Sequence, residues 1–199
     1  TIRGDAGDNE FRPLAGADLV DGRGGYDTVN YNSFFSGGPD IFSTAGDFPI
    51  TTGVTVNLTA GTATDPWGNA DTLAGIEAVI GTGFADDLTG IAIADGSRSQ
   101  LRGEGGNDTL RGTGTDRSIT ASYTSDPARV LVNLSAGDET LAGTLVAAHT
   151  ARDGFGGTDT IVSKASFFWD VYSVGEVLRI DPNATDPGDW VSSADTRSA

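Results

Sequence analysis

The chain has 199 residues, enough for one substantial domain or two small ones. Its 28 acidic residues against 12 basic ones give a formal net charge of −16, which disfavours nucleic acid and anionic membrane as partners and favours divalent cations. Cysteine is absent, so disulfides and thiolate metal sites are excluded, and soft-metal chemistry would rest on the single histidine, His149.

Glycine supplies 29 residues and the hydrophobic share is 37%, below the usual globular value. Such a chain is either largely disordered or has its carboxylates neutralised from outside. No apolar run reaches the length of a membrane span, and no signal peptide opens the chain. The start at Thr1-Ile2-Arg3-Gly4, inside a repeat and without Met, suggests a piece of a longer polypeptide.

A nine-residue register opens the chain: Gly4–Arg12 (GDAGDNEFR), Pro13–Asp21 (PLAGADLVD) and Gly22–Asn30 (GRGGYDTVN). Position 4 is Gly7, Gly16 and Gly25; position 6 is Asn9, Asp18 and Asp27; position 8 is Phe11, Val20 and Val29. Further units follow at Pro66–Ala74 (PWGNADTLA, Asp71) and Gly81–Thr89 (GTGFADDLT, Asp86). A tandem pair, Ala94–Arg102 and Gly103–Arg111 (GEGGNDTLR), puts Ser99 and Asp108 at position 6, and Gly154–Val162 (GFGGTDTIV) puts Asp159 there. The unit at Gly112 (GTGTDRSIT) carries Arg117 where an acid is expected, which displaces Asp116 by one position or leaves the site dead.

A longer duplication overlies the repeats. Val54–Gly61 (VTVNLTAG) returns as Val130–Gly137 (VLVNLSAG), each preceded by a tyrosine, Tyr31 or Tyr123. The spacer to the next repeat is longer in the second copy, because Asp71 and Asp159 are further apart than the two VNL motifs. Two modules are therefore expected, 1–111 and 112–199, stacked into one body. VTVNL, VLVNL and IEAVIG (76–81) read as strands, and SFFWDVYSVGEVLRI as one or two strands capping the end, with 182–199 loosely ordered.

The repeat has a physical logic. Glycines permit positive φ and a tight turn whose carbonyls point to one side. Position 6 adds a hard anionic oxygen, and position 8 places one apolar side chain in a thin core. Calcium takes six to eight such oxygens at flexible angles, so neighbouring loops can share an ion. The expected ligand set is Asn9, Asp18, Asp27, Asp71, Asp86, Asp108, Asp159 and Asp116, with Asn107 and the loop glycines Gly7, Gly16, Gly22, Gly25 and Gly103.

GRGGYDTVN, GEGGNDTLR and GFGGTDTIV resemble the RTX (hemolysin-type) calcium-binding nonapeptide, and the intervening spacer resembles those of large bacterial secreted proteins. The resemblance covers about two thirds of the chain. It implies an all-β fold, a right-handed parallel β-roll or β-helix solenoid with a non-repetitive C-terminal cap. It also implies several structural Ca2+ ions, export by type I secretion and folding on meeting external calcium.

Bland readings compete at each point. An isolated Gly-Asp is usually an ordinary turn. His149 reads as a surface-loop residue; Asp86-Asp87 and Asp138-Glu139 could pose as catalytic pairs, but nothing lifts them above the acidic background, and no enzymatic role is expected. Trp67, Trp169, Trp190 and the run Phe167-Phe168-Trp169 could form a glycan platform, though core or capping roles fit better. The module is expected outside the cell or on its surface, as a structural or adhesin segment or as the secretion appendage of a larger hydrolase or toxin. Its partners would be calcium, further copies or its parent chain.

Overall fold

The structure, a computed structural model, describes residues 1–32, 50–93, 99–113, 119–162, 170–173 and 177–180. Among the described residues there is no helix, and the chain is all-β. In chain order the strands are β1 (Ile2–Arg3), β2 (Glu10–Phe11), β3 (Leu19–Asp21), β4 (Thr28–Asn30), β5 (Thr55–Asn57), β6 (Thr62–Thr64) and β7 (Ala70–Ala74). Then come β8 (Ala78–Ile80), β9 (Asp87–Thr89), β10 (Ser99–Arg102), β11 (Thr109–Arg111), β12 (Ile119–Tyr123) and β13 (Val130–Asn133). The last are β14 (Glu139–Leu141), β15 (Thr144–Val146), β16 (Thr150–Arg152), β17 (Thr158–Val162), β18 (Asp170–Ser173) and β19 (Val177–Ile180).

The repeat period sets the topology. Successive nine-residue units send their strands alternately to two sheets. One sheet runs β2-β4-β8-β10-β12-β18 and is parallel throughout. The other runs β1-β3-β7-β6-β5-β9-β11-β17-β16-β13-β19 and is mixed. The repeat strands β3, β4, β9 and β11 are three residues long, and in each the central, position-8 side chain is buried. Val20, Val29, Leu88, Leu101 and Leu110, from both sheets, are buried in one cluster with Val56, Val79 and Ile161. At roughly 1.5–3 kcal/mol per fully buried aliphatic side chain, this file holds the two sheets together.

The spacers depart from the parallel expectation. VTVNLTAG adds one parallel rung, β5 against β9, but the chain then turns back on itself, and β5, β6 and β7 form an antiparallel meander within the second sheet. β13, β16 and β17 repeat that meander in the second copy. The reversal needs a left-handed residue, Gly61 at φ 67°, whose carbonyl accepts the Leu73 N–H at 2.8 Å. His149, at φ 54°, does the same for Ile161 N–H. The histidine is thus a turn residue in the place of a glycine.

The extra length of the second spacer is a β14–β15 hairpin. It closes a small core of its own from Leu131, Leu141 and Val146. At the far end, β18 and β19 close the two sheets by parallel pairing with β12 and β13. Phe167-Phe168-Trp169, Trp190 and the tail 182–199 lie outside the described residues.

Candidate functional site

The repeat loops stack on one another, and glycine is required where they touch. Gly25 (φ 114°) and Gly106 (φ 133°) adopt backbone that side chains rarely tolerate. A Cβ on Gly25 would also meet the Gly7 carbonyl at 2.5 Å, and one on Gly106 the Phe84 carbonyl at 2.7 Å. Gly16 (φ 128°) makes the same turn in the second repeat.

The position-6 acids tie neighbouring loops together. Asp27, Asp71, Asp108 and Asp159 each accept, through one carboxylate oxygen, a backbone N–H of a neighbouring loop. Asn9 N–H donates to Asp27 Oδ1 (2.9 Å), Asp18 N–H to Asp71 Oδ1 (2.8 Å), Asp86 N–H to Asp108 Oδ1 (2.9 Å) and Asp108 N–H to Asp159 Oδ1 (2.9 Å). Asp27 N–H in turn donates to Glu77 Oε2 at 2.8 Å. Glu77 therefore stands at position 6 of its rung, two residues before the buried Val79.

The second oxygen distinguishes these acids. Asp71 Oδ2 accepts the Tyr31 hydroxyl at 2.8 Å and Asp159 Oδ2 the Tyr123 hydroxyl at 2.9 Å, both inside the core. Asp86 is satisfied by Thr82 N–H, Thr82 Oγ1–H and Val54 N–H. Asp27 Oδ2 and Asp108 Oδ2 are buried and have no hydrogen-bond partner. Asp27 Oδ2 and the Gly75 carbonyl crowd the point where a Cβ on Gly22 would sit; Asp108 Oδ2 fills the same place beside Gly103. Gly22 and Gly103 are thus glycines because a carboxylate oxygen occupies their side-chain space.

Burial pushes the carboxyls of Asp27, Asp71, Asp108 and Asp159 above the usual range, and Asp86 to about 6. At Asp108 the charges of Asp159, Asp86 and Asp153 push in the same direction. A hard cation would reverse these shifts, and a buried oxygen without a donor is the group it would satisfy. Among the described residues no three His, Cys, Asp or Glu side chains stand close enough to hold an ion by themselves. Each ion would need backbone carbonyls, which the stacked loops present.

Other expected residues sit differently. Asn9 Oδ1 accepts Asp5 N–H inside its own loop (3.0 Å), beside the Gly22 carbonyl. Asp18 lies 3.7 Å from the Thr1 amino group. Asn107 is exposed and caps Thr158 N–H at 2.8 Å. Ser99 is buried in the parallel sheet. Asp116 lies outside the described residues; the pairing of Ser99 with Ile119 and of Leu101 with Ala121 puts apolar Ile119 at the position-6 level of that rung. Asp86 and Asp87 form no facing pair, since Asp86 is buried and Asp87 lies at the surface against Arg111 (2.9 Å). Asp138 caps Ala148 N–H at 3.0 Å.

Three acids escape the repeat pattern. Asp65 and Asp153 stand just ahead of their repeats and accept the N–H groups of the turn that follows: Trp67 and Asn69 for Asp65, Gly156 and Gly157 for Asp153. Their separation equals that of Asp71 and Asp159, so the duplication carries a signal for them. Asp126, in the turn Ser125-Asp126-Pro127, has no counterpart in the first copy. Among the described residues no helix is long and apolar enough to cross a membrane. No protein-family model matches this chain, and no curated protein matches it significantly.

Proposed function

We propose that this chain is a calcium-binding structural module of a secreted or cell-surface bacterial protein, which folds as a right-handed parallel β-roll on meeting calcium after export. The carrying observation is the pair of buried, unpartnered carboxylate oxygens, Asp27 Oδ2 and Asp108 Oδ2, each at a position-1 glycine of a stacked loop. Leaving such oxygens bare in a protein interior is costly, and a shared cation removes the cost. The net charge of −16 points the same way: without cations, repulsion opposes compaction of a core one side chain thick.

In this reading calcium serves structure and binding free energy becomes folding free energy. Asp27 and Asp108 are the principal side-chain ligands, with carbonyls such as that of Gly75 completing the shell. Asp71, Asp86 and Asp159 act as hydrogen-bond acceptors that need no ion. The modules 1–111 and 112–199 are halves of one stack, and whatever the parent chain binds is determined beyond this module.

Circular dichroism during a calcium titration after chelation tests the reading. A calcium-dependent gain of β-structure or thermal stability, with affinities on the order of 10⁻⁴ to 10⁻³ M, is expected. A chain fully folded in EGTA and indifferent to calcium would overturn it.

A further inference from the structure

Two buried acids outside the nonapeptide register remain unexplained by hydrogen bonding. Asp126 gives Oδ2 to the Gly154 N–H at 2.6 Å, and Asp153 gives Oδ1 to Gly156 and Gly157 N–H at 2.6 and 2.7 Å. Each keeps its other oxygen buried and without a partner, Asp126 Oδ1 and Asp153 Oδ2. The residues are 8% and 5% exposed. Asp153 Oδ2 lies 2.6 Å from where a Gly157 Cβ would be, and the Gly106 carbonyl oxygen crowds the same point. The Ala128 carbonyl lies against Gly154 in the same way.

The two carboxylates repel each other, and Glu104 adds its charge to theirs, while Arg102 acts on Asp126 in the opposite direction. Arg102 is bonded to the Thr124 hydroxyl and makes its ion pair with Glu104 at 3.7 Å. Asp126 Oδ1 accepts no hydrogen bond from it, and Arg102 Nε is likewise buried without a hydrogen-bond partner.

We infer that Asp126 Oδ1 and Asp153 Oδ2, with backbone carbonyls of the Gly106 and Ala128 turns, form a further site for a hard divalent cation. The site lies between two repeat loops and the Asp126 turn, and it uses none of the position-6 acids. It joins three stretches distant in sequence: the turn after β12, the last repeat loop, and the loop preceding β11. An ion here staples the second copy of the spacer to the first copy's final repeat through two acids that the nonapeptide pattern does not contain. The inference rests on calcium being the module's cation, but not on the Asp27 and Asp108 sites.

Asp126→Asn and Asp153→Asn each keep the oxygen that caps a backbone N–H and remove the charge. Calcium titration by calorimetry and thermal melts in EGTA and in calcium, on the whole chain, should be compared with an Asp27→Asn/Asp108→Asn double variant. The expected result is one fewer calcium equivalent and a smaller calcium-induced rise in Tm for each single variant, with Tm in EGTA unchanged or raised. The double variant should retain this equivalent. Wild-type stoichiometry and calcium response in both single variants would overturn the site while leaving the repeat sites standing. An equal loss of stability in EGTA and in calcium would also overturn it, because Arg102 would then be the group neutralising Asp126. Absence of calcium binding by the wild-type chain would overturn both readings together.

Discussion

Replacing Asp27 by Asn removes a buried charge while keeping the shape of the side chain. Oδ1 can still accept the Asn9 N–H. The other atom changes from a bare oxygen, which shares the space beside Gly22 with the Gly75 carbonyl, to an amide that can donate. The charges of Asp8 and Asp5, which push the Asp27 carboxyl further up after burial itself, lose their target. Relief of an unsatisfied buried acceptor is worth about 1–3 kcal/mol. At roughly 2–4 °C per kcal/mol for a chain of this size, metal-free Asp27→Asn should melt about 2–12 °C above wild type. In calcium the order should narrow or invert. A site with a Kd of about 1 mM contributes on the order of 1.4 kcal/mol at about 10 mM calcium, and the variant forgoes it. Melts followed by circular dichroism in EGTA and in 10-fold excess calcium over that Kd read both effects. A variant less stable than wild type in EGTA, with an undiminished calcium response, would refute the reasoning.

The tyrosine pairs should behave in the opposite manner. Tyr31→Phe and Tyr123→Phe strip the donor from Asp71 Oδ2 and Asp159 Oδ2, so each should cost about 1–3 kcal/mol, equally with and without calcium, as measured by denaturant unfolding. Gly106→Ala places a methyl against the Phe84 backbone at φ 133°; strain alone costs about 1–3 kcal/mol, and a far-ultraviolet melt should show the loss in both conditions. Acidification should stabilise the metal-free chain. Burial raises the carboxyls of Asp86 and Asp126 to about 6 from 3.8, so between those values the folded state binds protons that the unfolded state has released. Their contribution is complete below about pH 4 and is lost as pH rises through 6. Tm in EGTA should therefore climb from pH 7.5 to 5, while calcium affinity falls over the same interval; a metal-free Tm that drops on acidification across this window would contradict the burial assigned to these two groups.

Much of the fold can be read from residue spacing alone. An apolar residue every nine positions, at Ile2, Phe11, Val20 and Val29, leaves one inward side chain per short strand, and that period sends strands alternately to two sheets. The glycines and position-6 acids follow from the same period, since stacked loops allow no Cβ at Gly25 or Gly106 and need an acceptor for the next loop's N–H. The duplication of VTVNL as VLVNL likewise marks the two meanders, although nothing local to those strands tells parallel from antiparallel pairing. That choice rests on Gly61 and His149 reversing the chain, and a histidine at positive φ has no local signature.

Tertiary structure alone decided which acids are satisfied. Asp27, Asp71, Asp108 and Asp159 occupy the same position of the same repeat, yet Tyr31 and Tyr123 reach two of them from the facing sheet and leave the other two with a bare oxygen. Those contacts span 40 and 36 residues. Asp126 meets Gly154 across 28 more. The repeat determines which loops carry a carboxylate; whether it still has an oxygen to offer a cation depends on neighbours that only the folded chain brings to it.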